Sequence, residues 1–177
     1  MTGSMELPVL VGGKWTAPKV SSYTDVHNPS TGETIARTPM CSAADVDMAV
    51  QAAKKAFKSW SETPPPRRAE IMFKYRALLT DRLEELAKLV TRENGKTLDE
   101  ARGDVKRGLE VVDLSCGIAQ LLKGEVLPQV AEQIDGVTTR EPVGVCAGIA
   151  PFNFPAMVPM WMFPLAIACG NTFVLKP

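Results

Sequence analysis

The sequence predicts an α/β fold in which a group of helices precedes a strand–helix–strand unit. Apolar residues recur at helical spacing in three segments, at 42–60, 66–91 and 97–122. The pattern then changes to apolar and β-branched strands at 143–150 and 172–175, with a helical stretch between them. Strand, helix and strand in this order predict two parallel strands joined by a right-handed crossover.

The composition is typical of a folded globular protein and argues against two classes of partner. The chain has 177 residues, of which 45% are hydrophobic and 23% are charged. Lys plus Arg and Asp plus Glu number 20 each, so no net charge favours nucleic acid or an acidic membrane surface. The longest apolar stretch, 142–174, is interrupted by prolines, a glycine and an asparagine, which argues against a membrane helix.

Short strands are predicted before the first helix. The segments 9–11 and 14–16 flank Gly12-Gly13, a pair that favours a tight hairpin turn. The segment 28–32, Asn-Pro-Ser-Thr-Gly, predicts a second turn that leads into a strand at 33–38.

Capping residues mark the ends of the predicted helices. Ser42 can cap the first helix, and the prolines at 64–66 separate it from the second. Asn94-Gly95 ends the second helix. The third begins at Thr97, which forms a capping box with Glu100.

A β-hairpin is predicted at about 125–141, with a turn near Asp135-Gly136. Pro128 indicates that its first strand is an edge strand or is bulged. A buried strand at 143–150, a turn at 151–154 and an irregular helix at 155–169 complete the chain before the last strand.

Two polar side chains follow the carboxyl ends of the predicted parallel strands, where ligands bind in open α/β sheets. Asn153 offers two N–H donors, which suit an oxyanion on a carbonyl substrate, although capping a helix or bracing a turn is the more ordinary task for asparagine. Lys176 can bind ribose hydroxyls or phosphate, or it can be a solvated strand-end lysine. Arg107, on the polar face of the third helix, is solvated by default and suits an anionic substrate otherwise.

Other catalytic and cofactor motifs are missing from these 177 residues. The four cysteines are far apart and His27 is the only histidine, so no metal site is predicted. None of the cysteines has an activating neighbour, so all four are interpreted as structural. The sequence also has no GxGxxG fingerprint.

The last 35 residues carry a specific resemblance, supported by several shorter segments upstream. The segments Gly144–Pro155 (GVCAGIAPFNFP) and Gly170–Pro177 (GNTFVLKP) resemble the aldehyde dehydrogenase superfamily. Phe152, where many hydrolytic members carry Trp, and the run 157–164 (MVPMWMFP) look like its methylmalonate-semialdehyde dehydrogenase branch. Four upstream segments agree, namely GGKW at 12–15, HNP at 27–29, NGKT at 94–97 and GDVKRGLEVV at 103–112.

The resemblance implies that residues 1–177 are the N-terminal part of a Rossmann-type NAD-binding domain, with the hairpin at 125–141 as an oligomerisation arm. It implies that Asn153 helps to form the oxyanion hole and that Lys176 binds the adenosine ribose of NAD. Ala150 and Phe152 would lie near the nicotinamide, and Arg107 near the substrate entrance, facing the free carboxylate of the substrate.

The resemblance also implies a covalent mechanism, in which a cysteine thiolate attacks a semialdehyde, NAD accepts the hydride and CoA takes the acyl group with loss of carbon dioxide. The products would be propanoyl-CoA or acetyl-CoA, in valine and pyrimidine catabolism. The family's nucleophilic cysteine and catalytic domain would lie beyond residue 177, so we expect this chain alone to be inactive. The alternative is a non-catalytic oligomerisation module.

The remaining expectations concern assembly and compartment. The full-length form is expected to be a homo-oligomer, either a tetramer or a dimer. No presequence pattern is visible in residues 1–11, which favours a cytoplasmic location, while the family resemblance leaves a mitochondrial one open.

Overall fold

The computed structural model describes residues 5–177, which form nine strands and six helices. The strands are β1 (Met5–Glu6), β2 (Val9–Val11), β3 (Lys14–Thr16), β4 (Tyr23–His27), β5 (Thr34–Pro39), β6 (Val126–Ala131), β7 (Ile134–Val137), β8 (Val145–Ile149) and β9 (Thr172–Lys176). The helices are α1 (Ala43–Trp60), α2 (Pro65–Asp81), α3 (Leu83–Asn94), α4 (Leu98–Cys116), α5 (Ile118–Leu121) and α6 (Met157–Ala168). The predicted α/β class is confirmed, although two of the three helices predicted before the hairpin are divided.

The N-terminal strands form one hairpin and one three-stranded sheet. β2 and β3 pair antiparallel across Gly12-Gly13, whose φ angles are 58° and 78°. Positive φ at both central residues is the geometry that tight hairpin turns require, so the predicted turn is confirmed. β5 pairs antiparallel with β4 and parallel with β1. The turn at 28–32 joins β4 to β5 and is closed by the Gly32 amide, which donates to the Asn28 carbonyl at 2.8 Å.

α1 begins at the predicted cap. The Ser42 hydroxyl accepts from the Asp45 amide, and the Asp45 carboxylate accepts from the Ser42 hydroxyl and amide, which lowers the pKa of the Asp45 carboxyl. The apolar stripe of α1 is only half-buried, and Val46 at its start is exposed. At the other end, the Trp60 indole N–H donates to the Ile167 carbonyl at 2.9 Å, which ties α1 to the end of α6.

The prediction of a single helix at 66–91 is wrong, because the helical conformation is interrupted between α2 and α3. Arg82 leaves the helical conformation, with φ −105° and ψ 15°, and serves as the last cap of α2 and the first cap of α3. No proline or glycine marks this point in the sequence. The break lets Leu83 and Leu86 pack against the same cluster as Leu79, so tertiary packing decides it.

α4 starts at the predicted capping box of Thr97 and Glu100. It ends at Cys116, before the predicted end at 122, and the short helix α5 follows. The predicted apolar stripe of α4 is confirmed as its buried face, because Ala101, Val105 and Val112 are fully buried. This face contributes to three core clusters that lie between α2, α3, α4 and α6.

α4 and α6 approach closely at Gly108. A Cβ atom on Gly108 would lie 2.4 Å from Met160 Cε and 3.1 Å from Met160 Cβ. A larger residue at this position would require the flexible end of Met160 to move and its Cβ to shift by a few tenths of an ångström, so glycine suits this close approach of the two helices. Asp104 contacts Met157 one helical turn earlier, so α4 and α6 run side by side in the same direction.

The predicted hairpin forms from β6 and β7, which pair antiparallel. The predicted turn near Asp135-Gly136 is wrong, because both residues lie within β7 and the chain turns at Glu132-Gln133, where Gln133 has a positive φ of 61°. The register shifts between Leu127 and Ala131, and Gln129 has a positive φ of 52°. The predicted irregularity at Pro128 is therefore confirmed as a bulge. The hairpin projects from the core with exposed apolar side chains on both strands, namely Val126, Leu127, Val130, Ile134 and Val137.

The last three elements form the predicted parallel unit. β8 and β9 pair in register from Val145 with Thr172 to Ile149 with Lys176, and α6 connects them. α6 is strongly apolar but has only 12 residues and contains Pro164. Across residues 5–177, no helix combines the length and the apolar character that crossing a membrane requires.

Candidate functional site

The carboxyl edge of the β8–β9 pair brings three of the predicted site residues together. The Ala150 amide donates to the Lys176 carbonyl at 2.9 Å, which extends the parallel ladder beyond β8. Ala150 is buried, whereas Lys176 is exposed and extends from the end of β9. The ammonium of Lys176 lies 4.5 Å from the centre of the Phe152 ring, a distance typical of a cation–π contact.

Phe152 is also exposed. Its side chain is 77% exposed, and its carbonyl oxygen accepts a hydrogen bond of 2.8 Å from Asn94 Nδ2 at the end of α3. The backbone of the turn is therefore anchored to the helical layer, while the ring remains at the surface beside Lys176.

Asn153 follows directly in the turn that precedes α6. It is exposed, and within residues 5–177 its side chain makes no hydrogen bond. Asn153 does not cap α6, since the N-cap position belongs to Ala156, which has no capping side chain. Both N–H donors of the Asn153 amide are therefore available to a ligand, as its proposed oxyanion role requires.

A buried carboxylate, missed in the sequence, supplies the cap that α6 lacks. Asp104 on α4 has a fully buried side chain, and its Oδ1 accepts from the Met157 amide at 2.7 Å. Its Oδ2 lies 2.9 Å from Lys96 Nζ, and the same ammonium lies 3.9 Å from the Phe154 ring centre. The signal was present in the sequence, because Asp104 lies at helical spacing from Ala101 and Gly108, on the buried stripe.

Arg107 is not brought to the sheet edge. It lies on α4 with an exposed side chain, and its backbone carbonyl accepts from the Trp161 indole N–H at 3.3 Å. No ion pair within residues 5–177 involves its guanidinium, in contrast to Arg102 on the same helix, which pairs with Glu84 and Asp99. Among the described residues, Arg107 is thus a cation without an ion-pair partner on the α4–α6 surface, one helical turn beyond Asp104.

The opposite, amino edge of the β8–β9 pair is held by two polar residues that the sequence analysis also missed. The Asn171 side-chain oxygen accepts from the Val143 and Gly144 amides at 2.7 and 3.0 Å. Buried Arg68 donates to the Ala168 carbonyl at 2.8 Å and to the carbonyls of Ser61 and Thr63. Burial lowers the pKa of the Arg68 guanidinium.

A cleft of about 570 Å³ opens beside Arg68 at this amino edge. It is lined by residues of the α1–α2 connection and of the segment before β8, including Glu62, Arg140 and Glu141. A Cβ atom on Gly170, which has φ +98°, would lie 3.2 Å from the Arg68 guanidinium carbon. Arg68 therefore acts as a structural brace, and the predicted ligand residues lie at the other end of the strands.

The cysteines give no sign of a nucleophile in this part of the chain. All four are free, and burial raises the pKa of the Cys41, Cys116 and Cys169 thiols. A raised pKa keeps a thiol protonated and unreactive at neutral pH. Between residues 5 and 177 there is also no group of His, Cys, Asp and Glu side chains that can hold a metal ion.

A parallel strand–helix–strand unit with an exposed ammonium at its carboxyl edge makes this chain an α/β protein, a class in which ligands commonly bind at that edge. The chain belongs to the aldehyde dehydrogenase family, whose sequence model matches residues 15–177. The fold is also that of this family.

Similar proteins define the relationship more closely. Malonate-semialdehyde dehydrogenase of Bacillus pumilus is 54% identical over 94% of this chain, and malonate-semialdehyde dehydrogenase 1 of Geobacillus kaustophilus is 56% identical over the same share. A solved structure described as a putative methylmalonate-semialdehyde dehydrogenase from Sinorhizobium meliloti, complexed with NAD, is 45% identical, with a TM-score of 0.96 over the whole chain. Methylmalonate-semialdehyde dehydrogenase from Oceanimonas doudoroffii is 43% identical, with a TM-score of 0.94 over 98% of the chain.

The chain corresponds to only part of these relatives. It spans 34% of the length of the two curated relatives, 36% of the Sinorhizobium meliloti chain and 35% of the Oceanimonas doudoroffii chain. The similarity therefore establishes the family for the residues present, and the reaction of the whole protein is a separate question.

Proposed function

We propose that the native polypeptide, meaning the whole protein in which this sequence occurs, oxidises malonate semialdehyde or methylmalonate semialdehyde. In this proposal CoA receives the acyl group, with loss of carbon dioxide, to give acetyl-CoA or propanoyl-CoA in pyrimidine or valine catabolism. NAD, when bound, supplies the hydride acceptor. The proposal includes a cytoplasmic location, in keeping with the bacterial sources of the relatives named above.

The substrate class is supported by one observation above all: the guanidinium of Arg107 is exposed and has no ion-pair partner within residues 5–177. Malonate and methylmalonate semialdehydes carry a free carboxylate, and arginine binds a carboxylate through two parallel hydrogen bonds. The names of the relatives agree with this chemistry, since they are malonate- and methylmalonate-semialdehyde dehydrogenases. In the proposal Arg107 binds the carboxylate while the aldehyde lies nearer the turn before α6.

Replacing Arg107 with glutamine should lower the activity on aldehydes that carry a carboxylate and not on aldehydes that lack one. We expect kcat/KM for methylmalonate semialdehyde to fall about 10- to 100-fold, because a charge-assisted hydrogen bond contributes roughly 1.5–3 kcal/mol. The value for propanal, which has no carboxylate, should change by less than about twofold. NADH formation in the native polypeptide measures both, with CoA present.

Two variants serve as controls for this comparison. Arg107→Lys keeps the charge and loses the paired geometry, so its kcat/KM should lie between those of the native protein and Arg107→Gln. Lys106→Gln removes a neighbouring exposed cation and should leave both substrates unaffected. An equal fall for both aldehydes in Arg107→Gln would contradict the proposed carboxylate contact.

The carboxyl edge of β8 and β9 supports the proposed binding of NAD. The Lys176 ammonium is exposed there, and within residues 5–177 its close contact is an aromatic ring rather than a carboxylate. Its N–H donors therefore fit the ribose hydroxyls proposed for it. Ala150 and Phe152, which contact Lys176, would form the adjoining wall, and Asn153 would donate to the carbonyl oxygen as negative charge develops on it.

The hairpin β6–β7 supports a second role, the association of identical chains into a dimer or tetramer. A two-stranded hairpin is marginally stable by itself, and this one exposes five large apolar side chains. Val126 and Val137 are directly opposite in the register and share one face, with 66% of each residue exposed. Covering this face with a second copy would remove its apolar side chains from water.

A charged hairpin should weaken this association. We expect the double variant Val126→Lys/Val137→Lys to shift the native polypeptide from oligomer to monomer in sedimentation velocity, because two buried lysines would face the partner chain. Thr138→Lys and Thr139→Lys, on exposed polar positions just after β7, serve as the matched control. An unchanged mass in the valine double variant would show that the hairpin is not the interface.

A further inference from the structure

We propose that Asp104, paired with Lys96, is a positioning residue that determines where Asn153 lies. The inference rests on the oxyanion role proposed for Asn153. Asp104 does not itself contact the reacting atoms in this proposal. It acts through the backbone of the turn that carries Asn153.

The first step in the argument is that, within residues 5–177, no hydrogen bond of the Asn153 side chain fixes its place. Its side chain is exposed and makes no hydrogen bond within residues 5–177, so its position depends on the backbone on either side. An oxyanion donor must be preorganised to be effective, because a donor that moves to meet the charge loses most of its advantage. The neighbouring residues must therefore hold the turn.

The second step is that both neighbours of Asn153 are held by the α3–α4 region. Asn94 Nδ2 donates to the Phe152 carbonyl at 2.8 Å, and the Lys96 ammonium lies 3.9 Å from the centre of the Phe154 ring. Asn153 lies between these two points. The end of α3 and the connection to α4 thus contact the residues immediately before and immediately after Asn153.

The third step is that buried Asp104 joins Lys96 to the start of α6. Its Oδ1 accepts from the Met157 amide, the first residue of α6, and its Oδ2 pairs with Lys96 at 2.9 Å. α6 has no capping side chain of its own, so a carboxylate from another helix satisfies this free backbone donor. The Asp104 side chain is fully buried and that of Lys96 is only 17% exposed, which shields their ion pair from water.

Hydrogen exchange tests the positioning without measuring activity. In Asp104→Asn, we expect amide exchange in peptides covering 152–158 to rise about tenfold, because the charge-assisted cap and the partner of Lys96 are lost. Lys96→Met removes the other half of the ion pair and should loosen the same peptides. Asp113 lies on α4, like Asp104, and its half-exposed carboxylate pairs with Arg76 of α2, so Asp113→Asn should leave the exchange of these peptides unchanged.

Unchanged exchange at 152–158 in both Asp104→Asn and Lys96→Met, with the rest of the chain protected as in the native protein, would overturn the proposal. Exchange that rises throughout the chain would also count against it, because the residue would then support the whole fold and not this turn.

A double-mutant cycle in the native polypeptide tests whether Asp104 acts through Asn153. We expect Asp104→Asn to lower kcat about tenfold when Asn153 is present, because small displacements of an active-site group are costly. In the Asn153→Ala background the same change should alter kcat by less than about twofold. An equal fall in both backgrounds would overturn the proposed route through Asn153.

The two experiments fail separately from the proposed function. If Asn153→Ala leaves kcat unchanged, the oxyanion role is wrong. The hydrogen exchange of 152–158 then still decides whether Asp104 holds the turn.

Discussion

Replacing Asn153 with alanine should lower kcat about 100- to 1,000-fold, the loss typical of removing one oxyanion-hole donor. The side chain is exposed and without hydrogen bonds within residues 5–177, so its removal should not change the stability of the fold. The effect should therefore appear in kcat, measured by NADH formation in the native polypeptide. The unfolding temperature should stay within about one degree of the native value, as for other surface substitutions.

Two further variants sharpen this test. Asn153→Asp has nearly the same shape but presents an anion to the developing negative charge, so its kcat should be lower than that of Asn153→Ala. Gln51→Ala, which removes an exposed amide on α1 far along the chain from the turn, is the matched control. A kcat within about twofold of native in Asn153→Ala would show that another group stabilises the oxyanion.

Replacing Arg68 with methionine should cause the largest loss of stability. Methionine keeps the aliphatic packing but leaves the carbonyls of Ser61, Thr63 and Ala168 without their donor. A buried acceptor without a partner costs roughly 1–3 kcal/mol, so we expect the free energy of unfolding to fall by about 3 kcal/mol. For a chain of this size the midpoint should drop by about 6–12 °C, which thermal unfolding followed by circular dichroism measures.

The adjacent arginine provides the control. Arg67 is exposed and pairs with Glu70 at 3.2 Å on the helix surface, an interaction that contributes about 0.5 kcal/mol or less. Arg67→Met should therefore unfold almost as the native chain does. If Arg67→Met and Arg68→Met have equal effects, the three carbonyls do not depend on Arg68.

The sequence was sufficient where the cause of a structure is local. The cap at Ser42, the capping box at Thr97 and the Gly12-Gly13 turn depend on residues a few positions apart, and each was predicted. The parallel unit was also predicted, because β8 and β9 are apolar runs separated by a helix of the right length. The family resemblance added the identity of the chain to this local information.

The parts that the sequence did not predict depend on contacts between distant positions. The break at Arg82 has no local marker and follows from packing of Leu79, Leu83 and Leu86 in one cluster. The tasks of Arg68 and Asp104 were missed because their partners lie about 100 and 53 positions away in the chain. A charged residue on an otherwise apolar helical stripe is a warning of such a contact, although it does not name the partner.

The close packing of α4 and α6 determines how far apart two residues of the proposed site lie. The two helices contact each other at two successive turns. Gly108 packs against Met160, and Asp104 accepts a hydrogen bond from the Met157 amide. Arg107 belongs to one of these helices and Asn153 immediately precedes the other. If the two residues bind opposite ends of the substrate, the packing of the two helices sets the distance between the two binding groups. A semialdehyde with one more methylene group would then satisfy the carboxylate or the carbonyl, and not both together.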